Sequence, residues 1–179
     1  MKKPTVTQLL DLLAKPALIN WANKQGLAGI DIQEQRRIAK ANGNSLHQQV
    51  ENVCKGTGTF ESDEDFRNFQ DFMRDKQIIS VETKIETEWF TGRYDCKLKY
   101  KGMDFLVDYK SGFSGKLYLE NKLQLVAYGM AEPVNGLAIV SLPMFSFVPV
   151  KILNRAKYED MLIYLSKLYT LQKETGDIR

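Results

Sequence analysis

At Ile78 the apolar residues stop recurring at three- and four-residue intervals and begin to recur at every second position, so this chain cannot be an all-helical bundle. Ile79, Val81, Thr83, Ile85 and Thr87 alternate with Glu82, Lys84, Glu86 and Glu88, the pattern of a strand with one apolar and one polar face. Two further strands are expected, from Thr91 to Tyr100 and from Met103 to Lys110, joined by a two-residue hairpin loop at Lys101-Gly102. A helix from about Tyr118 to Ala131 then leads to an apolar strand, Gly136 to Leu142, and to another from Phe145 to Lys151. A final amphipathic helix spans about Asn154 to Lys173.

Ahead of the switch the period is helical. Thr5-Val6-Thr7-Gln8 is a T-x-x-Q capping box in front of Leu9, Leu10, Leu12 and Leu13, which marks a helix start. Pro16 opens a second helix expected to run to Gln25 and stop at Gly26. A third, from about Asp31 to Ala41, is expected to end in the turn Asn42-Gly43-Asn44. Ser45 and Gln48 would then cap a new helix, with His47 in its first turn and Leu46, Val50 and Val53 as its buried stripe. Ser62 and the acidic Asp63, Glu64 and Asp65 suit another start, with Phe66, Phe69, Phe72 and Met73 facing inward. Helices, hairpins, helix, strands and helix in this order imply an α/β fold, with a central mixed β-sheet carrying antiparallel hairpins and flanked by helices. A single domain over residues 1–179 is expected, with residues 1–76 a mainly helical segment and residues 77–179 the α/β core.

Composition narrows the function classes only coarsely. At 44% hydrophobic and 26% charged residues the chain has the make-up of a globular protein. No apolar run approaches the roughly 20 residues of a membrane span, and the first residues lack the pattern of a secretory signal, so no membrane partner and a cytoplasmic location are expected. Cys54 and Cys96, the two cysteines, form no ligand pattern, which argues against an iron–sulfur cluster or a zinc knuckle. A formal charge of +3 neither identifies nor opposes a nucleic-acid binder.

The chemistry gathers on the second hairpin. With Lys101 and Gly102 as the loop, Tyr100 faces Met103, and counting outward sets Asp95 opposite Asp108. Opposed side chains stand about 4.5–5.5 Å apart at Cβ, where two carboxylates repel unless a cation or a proton intervenes. Asp108 and Lys110, two apart on one strand, share the face of Asp95, while Phe105, Val107 and Tyr109 point to the other. Two carboxylates and an ammonium suit a hard ion such as Mg²⁺ or Mn²⁺ beside a group that orients water or offsets phosphate charge.

In chain order the sequence offers Gly43-Asn44-Ser45-Leu46-His47, Val81-Glu82, Gly92-Arg93-Tyr94-Asp95, Asp108-Tyr109-Lys110 and Gln124-Leu125-Val126-Ala127-Tyr128. This series resembles the RecB-like branch of the PD-(D/E)XK nuclease superfamily, whose ordered pattern is a helical His, a strand Glu, G-x-x-D, D-x-K and Q-x-x-x-Y. The resemblance implies a restriction-endonuclease-like core in which His47, Asp95, Asp108 and the Tyr109 carbonyl hold one or two Mg²⁺ or Mn²⁺ ions. Lys110 would be catalytic, Glu82 would line the site, and Gln124 and Tyr128 would lie near DNA phosphate. Counting alone leaves Glu86 and Glu88 open beside Glu82; the resemblance favours Glu82. Arg93, Lys116 and Lys122 are further candidate contacts to DNA.

The function so implied is metal-dependent hydrolysis of DNA phosphodiester bonds, as an exonuclease acting from ends in recombination, repair or phage DNA processing within a bacterial or phage-infected cell. Free-standing modules of this branch occur among phage enzymes, and the segment from Leu12 to Leu18 has the look of a phage lead-in. A homo-oligomer or a recombination partner protein is compatible with it. Two alternatives remain open at this stage: a structure-specific or nonspecific endonuclease on the same site, and an inactive nucleic-acid-binding or assembly protein that kept the fold.

Overall fold

The computed structural model describes residues 2–14 and 16–177. Among these, five strands form one sheet in the order β1-β2-β3-β4-β5: β1 (Lys76–Glu86), β2 (Thr91–Tyr100), β3 (Met103–Ser111), β4 (Gly136–Leu142) and β5 (Ser146–Pro149). The sheet is mixed: β3 and β4 run parallel, and the other neighbours run antiparallel. A parallel pair needs a crossover, which α5 (Leu119–Ala131) supplies. The expected hairpin loop forms, with Lys101 at φ 49° and Gly102 at φ 77°, the left-handed pair that a two-residue turn matched to strand twist requires. Tyr100 therefore pairs with Met103, as counted from the loop.

Helices cover both faces. The other five are α1 (Val6–Asp11), α2 (Pro16–Leu27), α3 (Ile32–Cys54), α4 (Asp63–Met73) and α6 (Arg155–Thr175). Val6, Leu9 and Leu10 of α1 join Leu123 and Val126 of α5 and Leu162 of α6 over Leu106 and Ile139. On the opposite face Val50 of α3 and Phe69 and Phe72 of α4 pack on Cys96, Val107, Val140 and Phe145. Residues 1–76 thus serve two layers, α1 on one face and α3 and α4 on the other. The Thr5 capping box forms as expected, with the Gln8 N–H donating to Thr5 Oγ1 and the Thr5 N–H to Gln8 Oε1. Lys15 and the side chains of Pro16, Ala17 and Leu18, in the segment likened to a phage lead-in, lie outside the described residues. No helix among the described residues is long and apolar enough to cross a membrane.

The structure corrects three local expectations. Asn42-Gly43-Asn44 makes no turn: α3 is a continuous helix of 23 residues, capped at Asp31, whose Oδ1 accepts from the Gln33 and Glu34 N–H groups. The cost of glycine in a helix, about 1 kcal/mol, is outweighed by packing, because a Cβ at Gly43 would stand 2.9 Å from Ser111 Oγ at the end of β3. His47 accordingly sits deep in α3 and not in a first helical turn. In α4, Phe66 is 43% exposed, so the buried stripe is Phe69 and Phe72. Finally, β5 is shorter than expected: Phe145 takes a positive φ of 51° in the turn before it, and Pro149, which lacks an N–H, ends it.

The strict alternation of β1 also breaks. Val81 packs on the α3 face and Ile85 on the α1 face, although residues four apart in a regular strand share a face. In β2, Cys96 and Tyr94 part in the same way. Val81 pairs with Cys96 and Thr83 with Tyr94, so both strands switch faces at the rung of Glu82 and Asp95. Glu82 carries the departure in its backbone, with φ at 47°, a conformation unusual for a residue with a side chain.

Candidate active site

The β2–β3 ladder ends at the pair Cys96 and Val107, one residue short of the two aspartates. Past that rung the strands diverge, and Asp95 reaches across with a side-chain bond: its Oδ2 accepts the Tyr109 N–H at 2.7 Å. Asp108, 1% exposed, lies beneath it. The Lys110 ammonium is its counter-charge, 2.9 Å from Oδ2 and donating to Oδ1 at 3.2 Å. Burial pushes Asp95 well above the ordinary carboxylate range and the charge of Asp108 pushes it further, while the bond from Tyr109 and the Lys110 charge pull the other way. Burial also raises Asp108, opposed by Lys110 and His47.

His47 enters from α3. Its Nε2 donates to the Tyr109 carbonyl at 2.7 Å, and its Nδ1 lies 3.9 Å from Asp95 Oδ2. Burial holds its pKa below the usual imidazole value, so at neutral pH the ring is uncharged, with Nε2 protonated and the Nδ1 lone pair turned toward Asp95. The ring is far inside α3, away from any helix terminus, and desolvation keeps it uncharged. Close approach of α3 at Gly43 is what lets the imidazole reach β3.

Glu82 lies on the same wall. Counting between the paired rungs sets it across from Asp95, and its Oε2 receives Arg93 Nε at 2.5 Å. Burial raises its pKa, with Arg93 opposing. Of the two glutamates left open by counting, Glu86 sits at the outer end of the cleft, bound to Lys3 at 2.6 Å, and Glu88 is off its wall. A carboxylate that sequence reasoning missed is Glu51, one turn beyond His47 on α3. The i, i+4 spacing from His47 was the available signal.

From α5, Gln124 Oε1 accepts Lys110 Nζ at 2.9 Å, and Gln124 Nε2 donates to the Tyr128 hydroxyl at 2.8 Å. Tyr128 is 4% exposed. These groups, with His47, Glu82, Arg93, Asp95, Asp108 and Tyr109, line one cleft of about 1340 Å³. Lys2, Lys84 and Gln48 are further lining residues. Lys116 and Lys122 lie off the wall; Lys116 rests over the Tyr118 ring at 5.1 Å. A smaller hollow of about 380 Å³ between Phe105, Gly136 and Arg155 gathers no comparable set of groups. Cys54 and Cys96 are free thiols, raised by burial to about 11 and about 12.

Among the described residues no three His, Cys, Asp or Glu side chains stand close enough together to hold an ion as they are. The chemistry of the set nonetheless fits a hard divalent cation: one fully buried carboxylate (Asp108), one partly buried (Asp95), a carbonyl and a neutral imidazole. Binding one requires Nε2 of His47 and the Tyr109 carbonyl to release each other, or the imidazole to engage through Nδ1.

No family model and no curated protein matches the chain. Among solved structures it is similar to one described as the crystal structure of SSO0001, at 18% identity and a TM-score of 0.48, over 93% of this chain and 76% of that one. A likeness of that degree carries no argument about function.

Proposed function

We propose that the chain is a Mg²⁺- or Mn²⁺-dependent deoxyribonuclease of the PD-(D/E)XK type, RecB-like, that degrades DNA from its ends in recombination, repair or phage DNA processing inside the cell. The observation that carries this reading is convergence. His47, Glu82, Asp95, Asp108, Lys110, Gln124 and Tyr128 come from α3, three strands and α5, and all line one cleft. Surface charges scattered by chance do not line one cleft with a buried and a partly buried carboxylate, a neutral imidazole and a lysine.

Asp95, Asp108, the Tyr109 carbonyl and His47 would hold the ion. When bound, it supplies a water of lowered pKa and offsets negative charge on the phosphate. The residues themselves do the rest. Asp108 sets the place of the Lys110 ammonium, which orients the attacking water or faces the charge that develops on the phosphate oxygens. Arg93 stands at the cleft wall with Lys84 and Lys2 to hold the backbone, its charge balanced by Glu82 until phosphate competes for it.

The experiment is incubation of end-labelled linear duplex, single strands and covalently closed circles with pure protein and Mg²⁺ or Mn²⁺. Progressive loss of the linear forms with circles intact is expected. Rapid cutting of circles makes the enzyme an endonuclease on the same site, and binding without metal-stimulated cleavage makes it a binding protein.

A further inference from the structure

We infer that Gln124 is a positioning residue for Lys110, and that Tyr128 anchors the far end of the Gln124 amide so that its oxygen stays on the lysine. The inference deepens the nuclease reading and rests on it for its kinetic half. An amide has two unlike ends, an acceptor oxygen and a donor NH₂. Gln124 presents the oxygen to Lys110 Nζ at 2.9 Å and gives the NH₂ to the Tyr128 hydroxyl at 2.8 Å. With the amide reversed, the NH₂ would face an ammonium, donor against donor, and the bond would be lost. Tyr128 is buried and one helical turn from Gln124 on α5, so its hydroxyl is a fixed anchor for the amide, while the donor-only ammonium selects the oxygen. Leu123, Leu125, Val126 and Ala127 around the pair are fully buried, which anchors this stretch of α5 in the core.

The lysine needs such a guide. Its side chain is 29% exposed, and Asp108 competes for it at 2.9 Å. The ammonium meets both Asp108 oxygens, Oδ2 at 2.9 Å and Oδ1 at 3.2 Å, and with the carboxylate as its sole partner nothing would draw it off the atoms a cation requires. Drawn by Gln124 as well, Nζ is held between two acceptors. Both ends of the Gln124 amide are thus engaged within the protein, which favours this role over direct contact with DNA phosphate.

The test compares Gln124→Met, Gln124→Glu, Tyr128→Phe and the double variant Gln124→Met/Tyr128→Phe, each checked for a native melt. Three quantities are read: kcat and KM on linear duplex, Mn²⁺ affinity by calorimetry without DNA, and labelling of Lys110 by an amine-reactive ester in metal-free protein. Gln124→Met, close in size but without the acceptor, should lower kcat about tenfold or more at unchanged KM, and Lys110 labelling should rise. Gln124→Glu keeps an acceptor for the ammonium and should lose much less. Tyr128→Phe should fall between, and the double variant should be no worse than Gln124→Met, because the two act in series. A raised KM at unchanged kcat, with Gln124→Glu the most impaired through repulsion of phosphate, would assign Gln124 to DNA contact and overturn the inference. Unchanged Lys110 labelling in Gln124→Met would overturn it too. If wild type shows no metal-dependent cleavage, the nuclease reading fails, and the labelling still decides whether Gln124 holds Lys110.

Discussion

Asp95 is a costly residue for a fold without a bound cation, since burial and the charge of Asp108 both oppose its ionisation; burial raises Asp108 as well, with Lys110 opposing. Asp95 has a folded-state pKa well above its ordinary carboxylate value of 3.8. Its contribution to metal-free stability is therefore complete below that value and is withdrawn as pH rises through the raised one. Asn at this position keeps an acceptor for the Tyr109 N–H and cannot ionise. In chelator, Asp95→Asn should melt several degrees above wild type near neutral pH, with the gap closing as pH falls toward 4; melting curves across pH check this. A wild type that stays ahead at neutral pH would contradict the burden assigned to Asp95. His47 shifts in the opposite sense, so its contribution is present above about 6.5 and is lost as pH falls through its depressed value. Added Mn²⁺ should stabilise wild type and leave Asp95→Asn unmoved. Lys110→Met should retain Mn²⁺ affinity, since an ammonium is no ligand, while kcat drops by about 10²–10³; calorimetry and kinetics on one preparation separate the two.

At the level of elements, Gly136 shows how closely β4 is seated. A Cβ there would stand 2.2 Å from Phe105 Cε1, and Phe105 is itself wedged against Tyr100 and Phe147. Gly136→Ala should cost about 1–3 kcal/mol by overpacking, lowering Tm by about 2–4 °C per kcal/mol. Pairing it with Phe105→Leu should recover part of the loss, and additive melts for the double variant would disprove the contact. The hairpin of β2 and β3 was legible in the sequence because its register is set locally, by two loop residues and the pleat. The course of α3 was not. Asn42-Gly43-Asn44 has the composition of a turn, and the reason for its glycine, the close approach of Ser111, lies far away in the chain. The face switch at Glu82 and Asp95 was hidden for a related reason: alternation reports the average strand, and one residue at positive φ breaks it without leaving a compositional trace.

Across the whole molecule, the cleft exists because α3 and α5, on opposite faces of the sheet, both bring polar side chains to the place where the pairing of β2 with β3 ends. The order of motifs foretold which residues would meet; their pairings, such as Gln124 with Lys110 and Arg93 with Glu82, are products of packing and had no sequence signal. On the nuclease reading, backbone contacts from Arg93, Lys84 and Lys2 would make DNA affinity depend on phosphate charge, so binding should weaken steeply with salt and vary little with base sequence; a titration series at several ionic strengths checks this. The central claim is tested most directly by nucleotide release from end-labelled linear duplex, comparing pure wild-type protein with Asp108→Asn in Mg²⁺, in Mn²⁺ and in chelator. Metal-dependent release by wild type alone is predicted. Absence of release in either metal, or equal release by Asp108→Asn, would contradict it.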